Sequence, residues 1–486
     1  MDKQIIWSIS DPLNPKAASV NSVFIRYLGY IDGLISWMDR FKLLPKLIRS
    51  VVPSSVFCDQ SSSIIGGNIY ELANKGLFRF ILDKVNEFPN ESLINFRMVH
   101  VPMTLVTDGK LSKKILMSPN VGRGIAYDRL TEFFGYGIFT SKIHQRWSHQ
   151  RSLIFRVLTY KTLLEVAPDL SEIMFNVLDE MISSNPEIEL VTTLSQMTLV
   201  AFCQVIFGVD VTDTAFDIIN PLNNLLVYIN GALEPFALPF DPSYKKFIKD
   251  RDFVHEWMRD LIRKAKCSKS CNPAILKELN RENATEMEHV EFVMSIVLGG
   301  HETTARLILG TMYSIYYNPV CQMRLNKETQ EYKSINSKYG YDISNQPYLQ
   351  KVIKEGTRLY PPVWILAREP NQDIVLDEFT FKKGTQILIS PLLFLRSERV
   401  WGPDAEIFNP DRFDNLPDDA KEIFIPFIVG QENCPGKRFA ELEASLLISR
   451  FFLDYDIELL PHKINPSSAG TFRLTDRLPA RIYRKY

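Results

Sequence analysis

The stretch "FIVGQENCPG", Phe427–Gly436, places one cysteine after a glycine-bearing loop and directly before a helical pattern, "KRFAELEASLLISRFF". A helix N-terminus offers unpaired N–H groups and a positive dipole end, which favour a thiolate over a thiol. Pro435 is expected at the first helical position, which leaves the N–H groups of Gly436 and Lys437 free to face the sulfur of Cys434. A buried structural thiol is the alternative, because cysteine is among the most buried residue types. A stabilised thiolate would be a nucleophile or a metal ligand.

The composition is that of an ordinary globular protein. The chain has 486 residues, of which 45% are hydrophobic and 23% are charged, so it can bury a large core. Its net charge is -1, which provides no overall field for nucleic acid and predicts no nucleic-acid partner. Six cysteines are too few and too scattered for a disulfide framework, which predicts a reducing, intracellular compartment.

Residues 1–60 form an N-terminal segment with neither a secretory signal nor a predicted transmembrane span. The most apolar early stretch, residues 23–48, is interrupted by Arg26, Asp32 and Asp39, whereas a span needs roughly 18 apolar residues. Two interpretations stay open: an amphipathic helix on a membrane surface, or a helix packed on the protein body. We therefore expect a cytoplasmic or peripherally membrane-associated protein without a transmembrane anchor.

The remainder of the chain is predicted to be mainly α with small β-sheets, an α+β fold. No linker rich in Pro, Gly or Ser divides it, so residues 61–486 are expected to form one large α-rich body. Short strands are predicted at "INFRMVH", "MTLVTDG", "IVLDEF" and "TQILIS". The principal helices are predicted over 142–158, 161–184, 192–208, 214–230, 243–266, 286–317, 319–331, 347–359 and from Cys434 to about Phe452.

The apolar helix "VMSIVLGGHETTARLILG" contains a glycine pair, Gly299-Gly300, beside an acid and hydroxyls. Each glycine costs roughly 1 kcal/mol in a helix interior, and two explanations are open. The glycines allow close packing against another helix, or they admit a ligand and a local bulge where Glu302 and Thr303 hold water or deliver protons. His301 is expected to point away from any site, toward packing or solvent.

Two further clusters combine charge with helical spacing. Glu355 and Arg358 share one helix face, and Arg412 in "FNPDRF" supplies a second guanidinium that could bracket the carboxylate and lock an extended region to the helix. Trp147 and Arg151 lie four residues apart, so an indole N–H and a guanidinium can meet one anion.

The motifs "GGHETT", "EGTR" and "PDRF", followed by the cysteine stretch, occur in an order that resembles the cytochrome P450 family. The resemblance runs from about Gly66 to the C-terminus. It implies a haem b cofactor held between two central helices, and a haem-thiolate monooxygenase activity. Such an oxidoreductase inserts one oxygen atom from O2 into a lipophilic organic substrate, with electrons from a separate redox partner, a reductase or ferredoxin.

The resemblance also implies roles for individual residues. Cys434 would be the thiolate ligand of the haem iron, in a loop whose family positions are Phe427, Gly430 and Gly436. Glu302 and Thr303 match the catalytic acid–alcohol pair that relays protons on the distal side. The cofactor contacts to the propionates would be Trp147, Arg151 and Arg368, and the structural triad near the proximal face would be Glu355, Arg358 and Arg412.

One position departs from the family pattern. Two residues before the cysteine the family usually has arginine or histidine, which pairs with a propionate, whereas this chain has Glu432. A carboxylate there is expected to repel a propionate and weaken haem binding. Haem would then depend on Trp147, Arg151 and Arg368, or on a cation that the sequence does not identify.

Apolar residues at family pocket positions predict a cavity for a lipophilic substrate, although each could equally be core. They are Phe133, Phe134, Ile296, Val297, Val363, Trp364, Ile365 and Leu366. The stretch "GALEPFALPF", residues 231–240, is expected to be an access lid or a membrane-dipping loop. Lys437, Arg438 and Arg146 are candidates for the docking face of a redox partner, or simply for a solvated surface.

Two alternative functions remain on the sequence alone. A haem-thiolate isomerase or dehydratase would act on peroxides without external electrons, but such proteins tend to lack the acid–alcohol pair that Glu302 and Thr303 retain. A binding protein or decayed relative would hold haem or a lipid without turnover, and Glu432 is the main support for it.

Overall fold

Helices supply most of the residues that the computed structural model describes, which are 68–98, 101–231, 242–335 and 346–485. The predicted amphipathic segment and all but the first residue of the predicted lid lie outside these ranges. The helices are α1 Ile69–Glu87, α2 Gly109–Met117, α3 Ala126–Phe134, α4 His144–Val157, α5 Tyr160–Ser184, α6 Leu190–Phe207, α7 Thr212–Gly231, α8 Pro242–Cys267, α9 Pro273–Leu279, α10 Glu286–Tyr316, α11 Pro319–Ile335, α12 Pro347–Leu359, α13 Pro391–Phe394, α14 Glu398–Trp401, α15 Asp418–Ile423 and α16 Lys437–Asp454.

The strands are short and form small sheets. They are β1 Leu93–Met98, β2 Val101–Val106, β3 Val121–Arg123, β4 Glu187–Glu189, β5 Leu366–Pro370, β6 Ile374–Leu376, β7 Phe379–Phe381, β8 Gln386–Ile389, β9 Tyr455–Leu459, β10 Ser467–Ala469, β11 Thr471–Arg473 and β12 Pro479–Arg484. The largest sheet has the order β1-β2-β8-β5-β3, with β2 and β8 parallel and the other pairs antiparallel. The other sheets are β4-β12-β9, β10-β11 and β6-β7.

The predicted α-rich fold with small sheets is confirmed, and the predicted helices agree with the structure to within a few residues. The single strand predicted at "IVLDEF" is wrong, because this segment is a hairpin of β6 and β7. Asp377 turns the chain there with a φ of 53°, a left-handed conformation that aspartate tolerates better than most residues. Several strands of three residues were not predicted, since so short a run carries no readable alternation.

The central helix α10 places one face of the site. It begins with a capping box in which Thr285 Oγ1 accepts from the Glu288 N–H at 3.2 Å, and Glu288 Oε2 accepts from the Thr285 N–H at 2.8 Å. It then packs against α6, α8, α12 and α16. A Cβ on Gly300 would lie 2.2 Å from the ring of Phe202, which itself packs edge-on against Phe439 at 5.6 Å. The glycine therefore leaves room for the Phe202 ring of α6 between α10 and Phe439 of α16.

Among the described residues, α6 alone is long and apolar enough by composition to cross a membrane. Of this helix, 83% is buried inside the fold, where it contacts α5, α7 and α10. Core helices of large proteins meet the same criteria of length and hydropathy.

Helix α16 buries a carboxyl group that no sequence motif indicated. Glu443 is fully buried, and neither of its oxygens has a hydrogen-bond partner within the described ranges. Burial raises the pKa of the Glu443 carboxyl well above its ordinary value, and the nearby Thr304 hydroxyl offsets this only in part. The group is therefore neutral when its unfolded counterpart is ionised.

We expect Glu443→Gln to change how stability depends on pH. In the wild type, the Glu443 carboxyl ionises above about pH 4.3 in the unfolded state but stays protonated in the folded state. The free energy of unfolding therefore falls by up to about 1.4 kcal/mol per pH unit until the pH passes the raised pKa of the folded state. The variant lacks this slope, so its free energy of unfolding relative to wild type should be higher at pH 8 than at pH 5 in urea titrations. The exposed Glu458→Gln is the control, and parallel wild-type and E443Q profiles would refute the expectation.

Candidate active site

The loop that carries Cys434 is closed by a backbone hydrogen bond from the Cys434 N–H to the Phe427 carbonyl oxygen at 2.9 Å. Within it, Ile428 has a φ of 62°, which strains a β-branched residue, and such strain is concentrated at functional sites. Gly430 has a φ of 79°, which glycine adopts without strain. A Cβ on Gly430 would lie 2.3 Å from the Leu116 carbonyl oxygen. Glycine is required there both for its conformation and for the close approach of α2.

The Cys434 sulfur lies just before the start of α16, where the N–H groups of Gly436 and Lys437 lower the pKa of the thiol. Helix α16 begins at Lys437 with Gly436 as its N-cap, so the expectation that Pro435 is the first helical residue is wrong by two positions. Burial raises the pKa of the Cys434 thiol, and the two N–H groups and Arg151 only partly oppose it. The helix start alone therefore does not stabilise a thiolate, which needs a further positive charge.

Trp147 and Arg151 lie on the same face of α4, beside this loop. Arg151 Nη2 donates to the Asn433 carbonyl oxygen at 2.8 Å and to Asn433 Oδ1 at 2.7 Å. Its guanidinium lies 5.0 Å from the centre of the Trp147 ring. Trp147 Nε1 is buried, and no group in the part of the chain that the structure describes accepts its hydrogen bond. An unpaired buried donor is costly, so this site fits an additional acceptor.

Glu432, which was expected to repel a haem propionate, lies between two arginines. Its Oε1 lies 2.9 Å from Arg123 Nε, and its Oε2 lies 3.0 Å from Arg368 Nη2. Arg123 is the cation that the sequence did not identify. Little in the sequence indicated this, because β3 is three residues long and only its pairing with β5 brings Arg123 to the site.

The predicted acid, Glu302, is buried and held by a polar cluster. Its Oε1 accepts from Arg306 Nε at 2.9 Å and from Thr471 Oγ1 at 3.1 Å, and Arg473 Nη2 lies 3.9 Å away. Asn223 Oδ1 accepts from both arginines. Burial alone would raise the pKa of the Glu302 carboxyl, but Arg306 and Arg473 outweigh it and hold the pKa below its ordinary value. Glu302 is thus an ionised carboxylate, and Arg306, four residues later, could have been found from helical spacing.

The neighbouring groups on α10 have distinct environments. Thr303 is half-buried, and its hydroxyl donates to the Gly299 carbonyl oxygen at 2.8 Å. His301 is buried with Nδ1 at 2.8 Å from the Val297 carbonyl oxygen, as expected for packing. Helix α10 continues through the glycine pair without the bulge that one explanation required. A Cβ on Gly299 would lie 2.6 Å from the ring of Phe139.

The structure brings together the three residues of the predicted structural triad. Glu355 and Arg358 are fully buried, and Arg358 Nε and Nη2 each donate to one Glu355 oxygen at 2.8 Å. Arg412 Nε donates to Glu355 Oε1 at 3.2 Å, and its other nitrogens donate to Asp404 and to backbone carbonyl oxygens. The irregular segment around Arg412 is thereby fastened to α12.

The candidate pocket residues divide into two groups. Trp364 packs edge-on against Phe78 with ring centres 5.1 Å apart, and it belongs to the buried core together with Phe133, Phe134, Ile296 and Val297. Val363, Ile365 and Leu366 are only half-buried. Phe139 exposes 37% of its surface beside Gly299, and no sequence pattern indicated it, because it lies in an irregular segment.

The candidate docking residues also differ in exposure. Lys437 and Arg438 are exposed, whereas Arg146 is largely buried and forms ion pairs with Glu288 and Glu291. Arg146 therefore ties α4 to α10, and its assignment to a docking face is wrong.

The family model described as Cytochrome P450 matches residues 60–479. The chain belongs to the cytochrome P450 family. Among its relatives, the cytochrome P450-like protein L532 of Acanthamoeba polyphaga mimivirus is 47% identical over 461 residues, which cover 94% of each chain. A cytokinin hydroxylase of Arabidopsis thaliana is 28% identical over 387 residues, 74% of each chain. The probable cytochrome P450 4aa1 of Drosophila melanogaster is 25% identical over 466 residues, 90% of each chain.

Cytochromes P450 are oxygenases that bind haem b, iron protoporphyrin IX, through a cysteine thiolate, and they use O2, a substrate and an electron source. The residues of this cytochrome P450 fit that cofactor. The buried Trp147 Nε1 lacks an acceptor among the described residues, and a propionate is such an acceptor. The guanidinium groups of Arg123 and Arg151 lie 6.0 and 5.0 Å from the centre of the Trp147 ring, and Arg368 is joined to Arg123 through Glu432. The Cys434 sulfur lies on a loop shaped by Gly430.

Proposed function

We propose that this cytochrome P450 is a haem-thiolate monooxygenase that inserts one oxygen atom of O2 into a lipophilic organic substrate, with electrons from a separate redox partner. Cys434 is the proposed iron ligand. The observation that carries the proposal is the Cys434 loop, which is closed by the Cys434 N–H on the Phe427 carbonyl oxygen and places a half-buried sulfur beside the backbone N–H groups at the start of α16. Donors of this kind tune a metal-bound thiolate.

The haem, when bound, supplies the activation of dioxygen and the oxidation of the substrate. The proposed contribution of this chain is to hold and to surround it. Cys434 would ligate the metal, Trp147 Nε1 and the guanidinium groups of Arg151 and Arg368 would bind the propionates, and Glu355 with Arg358 and Arg412 would keep the proximal segment in place. The half-buried Val363, Ile365 and Leu366, with Phe139, would present apolar surface to the substrate.

Proton delivery is proposed for Thr303 and Glu302. The Thr303 hydroxyl donates to Gly299 and can still accept from water. Glu302 is ionised because Arg306 and Arg473 lower its pKa, so it would act by accepting a proton from solvent and passing it on, with the arginines restoring the carboxylate.

Neither alternative function is favoured by a specific observation. The decayed or binding-only reading depended on Glu432, and that carboxylate is paired with Arg123 and Arg368. The peroxide isomerase or dehydratase reading does not account for a buried acid with two arginine partners beside Thr303.

The proposal is tested by the carbon monoxide difference spectrum of the reduced, haem-loaded protein. A red-shifted Soret band of the thiolate-ligated kind is expected, followed by a spin-state shift with lipophilic compounds. A protein without haem, or with only the band of a neutral ligand, would refute the assignment of Cys434.

Replacing Thr303 with valine is expected to lower product formation by at least about 10²-fold, because a positioned proton-transfer group contributes that much or more. Valine has a similar volume but no hydroxyl, so the fold should be unaffected. The measurement is product and peroxide formed per electron donor consumed, with a compound found by the spin-state shift. Thr303→Ser keeps the hydroxyl and should stay within a fewfold of wild type. Equal product yields for T303V and T303S would exclude the role.

A further inference from the structure

We propose that Glu432 is a positioning residue for haem: its carboxylate holds Arg123 and Arg368 together so that both guanidinium groups bind propionate. The inference rests on the proposed function, because it concerns the same haem site. It reverses the expectation that an acid at this position weakens the site.

The two arginines occupy a place where they would repel each other. Arg123 in β3 and Arg368 in β5 are directly opposite in the antiparallel pairing of these strands, and like charges directly opposite are destabilising. Their side chains are 8% and 5% exposed, so solvent screens them little. Glu432 contributes one oxygen to each, at 2.9 and 3.0 Å. The Glu432 carboxylate therefore offsets the repulsion between the two buried guanidinium groups.

Glu432 does not use up the hydrogen-bonding capacity of either arginine. Arg123 also donates to the carbonyl oxygens of Ser141 and Ile138, each at 3.0 Å. Arg368 also donates to the Tyr127 hydroxyl at 3.2 Å and to the carbonyl of the preceding residue at 3.0 Å. Apart from its ion pair with Glu432, each guanidinium donates two hydrogen bonds to described residues, while it carries five N–H groups. Arg123 Nε lies 2.9 Å from Glu432 Oε1 but makes no hydrogen bond to a described residue. At least two N–H groups on each guanidinium therefore remain for a second carboxylate.

The Arg123 guanidinium lies beside other groups that suit an anion. The Arg123 guanidinium is 6.0 Å from the centre of the Trp147 ring, and Arg151 is 5.0 Å from it on the same helix. Trp147 Nε1 is the buried donor without an acceptor among the described residues. The three arginines and Glu432 together have a net charge of +2, which balances the −2 of two ionised propionates. An arginine in place of Glu432 would leave four positive charges around those two carboxylates.

The test compares how fast haem leaves the holoprotein for an excess of apomyoglobin, followed by the Soret absorbance. Glu432→Gln, which keeps shape and removes charge, is expected to lose haem about tenfold faster than wild type, in line with other partners that orient cofactor ligands. Glu369→Gln is the matched control. Glu369 neighbours Arg368 on β5 but accepts from Gln386 instead, and its variant should stay within about twofold of wild type.

A second arm separates a propionate effect from a general loosening of the fold. Apoprotein reconstituted with hemin dimethyl ester, whose propionates are masked, should lose it at the same rate in wild type and in E432Q. Arg123→Gln should also accelerate the loss of haem. The double variant should lose haem no more than about twofold faster than R123Q, because both changes disrupt the same ion pair.

Three results would overturn the inference. E432Q could hold haem as tightly as wild type or more tightly, which would make Glu432 a bystander or a competitor of the propionate. It could accelerate the loss of the ester equally, or its effect could add fully to that of R123Q. The proposed function is judged separately, by the carbon monoxide spectrum of the wild type. If the wild type shows a thiolate band but E432Q loses haem at the wild-type rate, only this inference is refuted. If the wild type binds no haem, both are refuted.

Discussion

Cys434→Ser is expected to abolish the thiolate-type Soret band of the reduced carbon monoxide complex and to lower turnover by more than about a hundredfold. Loss of a group that merely orients a metal ligand costs roughly 10–100-fold, and serine removes the proposed ligand itself. A hydroxyl is a poor donor to haem iron and is not ionised near neutral pH. Reduced, carbon monoxide-saturated samples of variant and wild type at equal haem content give the comparison.

The matched control for this prediction is Cys267→Ser. Cys267 is exposed at the end of α8, so its replacement should leave both the spectrum and the turnover unchanged. A thiolate band that survived in C434S would mean that another cysteine is the ligand, and one that was lost in C267S would point to α8.

Glu355→Gln is expected to lower the free energy of unfolding by about 3–5 kcal/mol, because it leaves Arg358 and Arg412 buried without a counter-charge. Glu355 and Arg358 are fully buried and share two hydrogen bonds of 2.8 Å, so water cannot replace the lost charge. The same change should sharply reduce haem incorporation, since the segment around Arg412 leads into the Cys434 loop. Urea unfolding followed by circular dichroism measures the first effect, and haem per protein the second.

The exposed pair of Asp418 and Lys421 supplies the control for Glu355. Its two atoms are 3.0 Å apart, as close as a buried pair, but the side chains are in solvent, where ion pairs contribute little. Asp418→Asn should therefore unfold like wild type. If E355Q also did, the carboxylate charge would not be what holds the two arginines in place.

Local sequence predicted the elements whose cause is local. The bounds of α10 were predicted to within one residue from its apolar run, and Glu355 with Arg358 could be paired because residues three apart share one helix face. The position of Pro435 was missed by two residues, because the backbone at a helix start depends on the preceding loop as much as on proline. The helix N-terminus was overvalued for Cys434, since burial, which spacing does not reveal, opposes it.

Arg146 and Trp364 show how burial decides between interpretations that the sequence left open. Arg146 looks like a surface cation in its helix, but it faces Glu288 and Glu291 on α10. Trp364 looks like a pocket residue beside Val363 and Ile365, but its ring packs in the core against Phe78. Neither partner can be read from the neighbouring sequence, because each comes from another element.

The sequence by itself determined the family, the α-rich fold and the cysteine loop, because these depend on short motifs, on helical periodicity and on their order along the chain. Only the tertiary structure decided the meaning of Glu432 and of the glycine pair. Glu432 reads as a misplaced negative charge until the pairing of β3 with β5 brings Arg123 and Arg368 to its two oxygens. Gly300 is explained by Phe202 of α6. In each case the stabilising contact joins segments that are distant in the sequence, so no local pattern can predict it.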